Sequence, residues 1–543
     1  MGYILPIHGE YGNINQGGVQ KNENQAQYVR KTQAISARRR RKEAALRASL
    51  INQAWFRESM VGAALLTVVM FTFGYDYIAN SKHLTSVVGV VWTSLTQLPN
   101  REYATSLGIL AMILTSWLAF GVVWVAETHW QEGINKKLSL VTILGVSLLL
   151  GLIYWLIHAG TLVNLAVFAP KDINDVKIQI NRVGGLLTMF YFVNFLVLIG
   201  AAFFIREEWS QRGKETNPLA VVSSFVLGIV AIVLISVTNL RIIHADIAFK
   251  MAEPFNQPQQ WGVATEIYKY AHQLAPDEDH YYLFLGRSYL ETAKETTDST
   301  AQDALVKQSE ADLKVAQKIN PLNTDHTANL ARLYSWWAGR STDPATRTTR
   351  AETASNYYAT ALKLSPNNST LWGEWSVLFM EVLRQPSEAY RCLTRALELD
   401  QEYNWTQGLM GDYFSRLSRL ITDTQKINQD LSEALIHYQL AYQLSLESEI
   451  TSRLTYLFAI GNTYIQLERL DDAIQTFVQA ADIGKNSSDL WRIYEQISRL
   501  YAEKGDKSNA LIYGNLALSA TPKDQQDQQD RIKKYIDQLN SLP

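Results

Sequence analysis

The residues best placed to do chemistry in this sequence are arginines, tryptophans and one aspartate spread along its second half: Arg287, Arg332, Trp336, Trp405, Asp412 and Arg416. Aromatic faces stack on sugar rings or anchor peptide side chains, while guanidinium and carboxylate groups hydrogen-bond hydroxyls and amides. Such a mixture suits binding of a glycan or a protein segment better than bond-making. A P-loop, an HExxH pair, paired CxxC motifs and a nucleophile elbow are all missing. Cys392 is the only cysteine, and the nine histidines fall at no metal-ligand spacing. No metal and no cofactor are expected, and no catalytic residue can be assigned. A competing reading makes the tryptophans packing residues and the charges a solvated surface. Spacing alone leaves both open.

These residues need a framework, and residues 241–522 supply one in paired helices. Small residues recur where two helices would touch, with an aromatic between them and often a proline at the end. The second helices carry Ala264/Tyr268/Ala271/Pro276, Ala354/Tyr358/Ala361/Pro366, Ala434/Tyr438/Ala441, Ala473/Phe477/Ala480 and Ala510/Gly514/Ala517/Pro522. Two further units keep Ala316 and Ala396 but fit less closely. First helices contribute Gly286, Gly411 and Gly461. This is the pattern of tetratricopeptide repeats: about seven of them, with longer inter-helix loops expected near 294–301 and 339–349. A polar helix within 523–543 caps the solenoid. In that register the six residues above point from first helices into a concave face.

The preceding part is of another kind. Five apolar runs, near 60–79, 106–126, 138–158, 184–205 and 219–240, each have the length of about 17–25 residues that a spanning helix needs. Residues 84–98 are expected to lie on or dip into a membrane, and 160–169 either extend the third run or form a loop. The expected fold class is therefore all-α, a multi-span transmembrane bundle over 58–240 followed by the repeat solenoid. Residues 1–57 form a polar tail, disordered or locally helical, with Arg38 to Lys42 at its centre. Basic residues tie at five each between the two sets of loops, and the ten in the tail place the N-terminus inside. Five spans then put the repeats outside the cytoplasm.

Bulk numbers agree with a two-part chain. At 543 residues one core is insufficient, and the 47% hydrophobic content averages an apolar part with a polar one. A formal net charge of -2 gives no reason to expect nucleic acid as a partner. The basic tail is better matched to anionic lipid.

Residues 275–287 (APDEDHYYLFLGR) and 320–334 (NPLNTDHTANLARLY) carry a resemblance. The sequence resembles the C-terminal half of bacterial O-antigen ligase/polymerase-like membrane proteins that end in tetratricopeptide repeats. That resemblance implies the bacterial inner membrane and polysaccharide assembly in the cell envelope. It also implies transfer of a lipid-linked glycan by Arg and His residues on a large outer loop. No stretch here matches that loop, and only about five spans are present. The first expectation is a membrane-anchored, extracytoplasmic interaction protein that is no enzyme on its own. Its repeats would bind a protein partner or polysaccharide. The alternatives are a lipid-linked glycan transferase, complete or as a split half beside a catalytic membrane subunit, and a generic repeat scaffold.

Overall fold

A computed structural model describes residues 39–40, 54–98, 104–128, 136–168, 172–211 and 218–541. All but two residues of the basic stretch 38–42 therefore lie outside the described residues. The chain divides into two compact units, Met1–Ala248 and Phe249–Pro543. Among the described residues both are helical, and the sole strand-like feature is an isolated bridge between Gln97 and Thr105.

In the first unit, α1 (Ala54–Tyr77) is the hub. It packs on α3 (Gly108–Thr128), α4 (Lys136–Val167) and α5 (Ile173–Gln211). The contacts use small residues facing large ones. A Cβ at Gly74 would collide with the Trp155 ring, and one at Gly151 would fall 2.9 Å from Met70. The Trp155 indole N–H then donates to the Met70 carbonyl at 2.7 Å. The small residues let the backbones approach closely, and the indole hydrogen bond joins the two helices.

Among the described residues five helices are long and apolar enough to cross a membrane, matching the five runs in the sequence. The 84–98 segment forms α2 (Val87–Thr96), which at 10 residues is too short to cross. Residues 160–167 extend the third long helix rather than forming a loop. The last long helix, α6 (Pro218–Ile235), passes through a π turn, Ser236–Leu240, straight into α7 (Arg241–Ala252).

The second unit stacks helix pairs. With α8 (Trp261–Leu274) counted as the second helix of the first pair, the second to fourth pairs are α9/α10 (Asp279–Glu295, Ser299–Ile319), α11/α12 (Thr324–Arg340, Pro344–Leu364) and α13/α14 (Ser369–Leu378, Pro386–Leu399). Then follow α15/α16 (Asn404–Leu417, Thr424–Leu444), α17/α18 (Ile450–Gln466, Leu470–Ile483), α19/α20 (Leu490–Glu503, Lys507–Ala520) and a closing α21 (Gln526–Ser541). Three of the pairs, α9/α10, α15/α16 and α17/α18, lock the same way. The aromatic or leucine at the middle of the second helix fills a gap that a small residue leaves on the first. A Cβ on Gly286 would meet Leu313 at 2.7 Å, one on Gly411 would meet Tyr438 at 2.6 Å, and one on Gly461 would meet Phe477 at 2.7 Å.

The long inter-helix loops expected near 294–301 and 339–349 are not there. The extra residues lengthen the second helices instead. Asp298 and Asp343 start them early, their carboxylates accepting from the backbone N–H of Ala301 and Thr346. Asp423 does the same for α16.

At the far end, Glu495 of α19 is buried and accepts from Arg499 at 2.7 Å and from Arg531 of α21 at 2.7 Å. Those arginines outweigh burial and hold its carboxyl below the usual range. They tie the closing helix to the last pair.

Candidate functional site

First helices of successive pairs touch one another, α9 with α11 and α13 with α15, while no second helix packs as closely on the next second helix. The first helices therefore lie on the inner side of the curve and line a trough. All six residues singled out in the sequence sit on first helices. What they can do there differs from one to the next.

Arg287 on α9 is exposed and makes no ion pair among the described residues. Arg332 on α11 is already engaged, its Nε donating to both carboxylate oxygens of Glu374 on α13 at 3.0 and 2.9 Å. That bond ties two successive repeats together, and the same carboxylate lies beside the buried Tyr358 hydroxyl. Trp336 packs against the apolar cluster that contains Leu283, Leu290 and Leu330. Trp405 lies over α13, where a Cβ at Gly373 would come within 2.6 Å of its ring. Both tryptophans are half-buried, so packing covers part of each ring and leaves the rest accessible.

Asp412 and Arg416 are brought together with two residues that the sequence did not single out for the trough. The Tyr438 hydroxyl donates to Asp412 at 2.7 Å, and Arg416 pairs with Glu381 at 2.5 Å. Asp412 is exposed as a residue, while its carboxylate is held against the Tyr438 hydroxyl. Desolvation pushes its pKa up, partly offset by the Tyr438 hydrogen bond and by Arg416. A small cavity of about 100 Å³ opens here, lined by Ser376, Glu381, Asp412, Tyr413 and Arg416 among others. A larger opening, about 490 Å³, is elsewhere, between second helices, lined by Leu397, Leu440 and Leu444 with Glu398 and Glu402. It contains none of the six residues.

Among the described residues no three His, Cys, Asp or Glu side chains gather as a metal site. The trough offers hydrogen-bond donors, acceptors and aromatic edges, which is equipment for holding a ligand.

The different engagement of Arg287 and Arg332 gives a stability test. Arg332→Glu removes a charge-assisted hydrogen bond and sets a second carboxylate against Glu374. Such bonds contribute about 1.5–3 kcal/mol, and partial exposure puts this one at the low end. Thermal denaturation should show a clear loss for Arg332→Glu and almost none for Arg287→Glu.

Residues 454–485, which span most of α17 and α18, match the family described as Tetratricopeptide repeat. The chain carries tetratricopeptide repeats. Solved structures with a similar course include a thermophilic TPR protein of Thermus thermophilus, at 16% identity over 40% of this chain and 98% of that one, TM-score 0.33. Yeast Tom70 is 12% identical over 78% of this chain and 80% of that one, TM-score 0.37. The Cut9-Hcn1 hetero-tetramer of the APC/C is 14% identical over 78% of this chain and 82% of that one, TM-score 0.34. No curated protein matches the sequence. The repeat assignment rests on the family match together with the small-residue lock that recurs in three of the helix pairs.

Proposed function

We propose that the chain is a membrane-anchored scaffold of cell-envelope polysaccharide assembly, whose repeats hold a protein or glycan partner outside the cytoplasm. One observation carries the membrane part. The first unit turns apolar side chains outward along its long helices: Phe225 is 71% exposed and Phe203 58%. Water covers such a surface at high cost, and a bilayer does so at none. The second unit is polar outside and presents the charged trough. Placement outside the cytoplasm rests on five spans and the basic tail. The polysaccharide setting rests on the resemblance carried by residues 275–287 and 320–334.

Thiol labelling of intact cells tests the location. Leu322 is 79% exposed in the repeats, so a Leu322→Cys chain should react with a membrane-impermeant maleimide before lysis. The native Cys392 should stay silent in the same experiment. It is fully buried, and that burial pushes its thiol up to about 12. Labelling of the introduced thiol only after lysis would overturn the proposed orientation.

A further inference from the structure

The fourth pair departs from the others at the end of its first helix. Helix α13 does not stop at Leu378 but continues as a π turn, Phe379–Leu383. Arg384 follows in the left-handed region at φ 56°, and the N–H of Gln385 returns to the Phe379 carbonyl at 2.9 Å. A π turn inserts a residue into the helical ladder and is frequent at functional sites. The left-handed residue is shared with other pairs, Glu468 after α17 and Gly505 after α19, so the π turn is what sets this helix end apart.

The product of this detour is a cavity of about 280 Å³ lined by Met380, Arg384, Pro386, Arg416, Arg419 and Leu420. Three of its six lining residues are arginines. Glu381 neutralises Arg416, while Arg384 and Arg419 make no ion pair among the described residues. Asp412 beside the cavity also draws on Arg416 and Arg419, so the two adjoining cavities together keep a net positive charge of about one, which suits a phosphate. Guanidinium groups match phosphate oxygens in geometry as well as charge. Met380 and Arg416 also line the smaller cavity beside it, where Glu381, Asp412 and Ser376 stand. Carboxylate acceptors next to an arginine cluster would repel a second phosphate and accept hydrogen bonds from hydroxyl groups.

We propose that these two adjoining cavities bind a sugar phosphate, with the phosphate among Arg384, Arg416 and Arg419 and the sugar hydroxyls at Asp412 and Glu381. The inference rests on the reading that the trough is the binding surface, but not on which side of a membrane it stands. The full chain in detergent micelles, titrated calorimetrically with glucose 1-phosphate, tests it. Binding is expected for glucose 1-phosphate and more weakly for inorganic phosphate, with none for glucose. Arg384→Asn with Arg419→Gln should lower the affinity by at least about tenfold, since charged hydrogen bonds are lost. Asparagine tolerates the left-handed backbone at 384. If the double variant loses helicity, Arg419→Gln alone carries the comparison. Absence of glucose 1-phosphate binding, unchanged affinity in the folded variant, or tighter binding of a phosphoserine peptide than of glucose 1-phosphate would each overturn the proposal. Labelling of the Leu322→Cys chain from the cytoplasmic side would revise the location and leave this result standing.

Discussion

Phe477→Ala should cost the sixth repeat about 3–5 kcal/mol, the range for emptying a buried phenylalanine site. Phe477 is completely buried in α18. Its ring fills the space left by Gly461 on α17 and meets Phe458 edge to face at 5.5 Å between centroids. Ile460, Ala473, Ile493 and Ile497 belong to the same cluster, so the core reaches from the sixth pair into α19 of the seventh. Helices of fixed curvature cannot close on the vacated volume, and the lost contacts stay lost. In a solenoid each pair leans only on its neighbours, so the damage should be local. Hydrogen exchange should quicken across α17 to α19 while α9 to α12 keep their protection. Equal loss throughout the repeats would mean that they unfold as one unit and that this packing is not local.

The same packing explains what can be read from the sequence. Ala264, Ala271, Ala354, Ala361, Ala434, Ala441, Ala473 and Ala480 are all fully buried. A helix pair this close admits few residue types, so composition at those positions is nearly forced, and seven pairs follow from it. Two units are blurred because leucine takes the aromatic's place. Leu313 and Leu393 are buried between Ser309 and Ala316 and between Ala389 and Ala396. Leucine fills the gap but does not stand out among other leucines. The π turn at 379–383 leaves no signal, because its residues are ordinary helix formers. That is why nothing in the sequence marks Arg384 and Arg419, whereas the repeat register marks Arg416. Ion pairs are equally illegible. A glutamate at 374 can reach several partners, and only the offset between α11 and α13 selects Arg332. Outside the repeats, hydropathy suffices for five long helices but not for α2, whose ten residues are apolar without being long enough to cross.

Overpacking the small positions should cost nearly as much as emptying the large ones. Ala473 and Ala361 are fully buried where the two helices of a pair face each other. A phenylalanine in either place has no void to enter, so side chains must leave their rotamers or the helices must part. Such insertions cost about 1–3 kcal/mol, and more where backbones cannot shift. Ala473 has the stiffer surroundings: Ile474, Phe477 and Ala480 on its own helix and Leu457 and Ile460 on α17 share its cluster. The larger drop in melting temperature is therefore expected for Ala473→Phe. Gln466 lies on the neighbouring α17 but is exposed, and Gln466→Phe should stay within about 0.5 kcal/mol of the parent. Denaturation of the three variants side by side separates register from mere hydrophobicity, because each gains the same ring. If all three lose the same stability, the helices of a pair do not meet at the alanines.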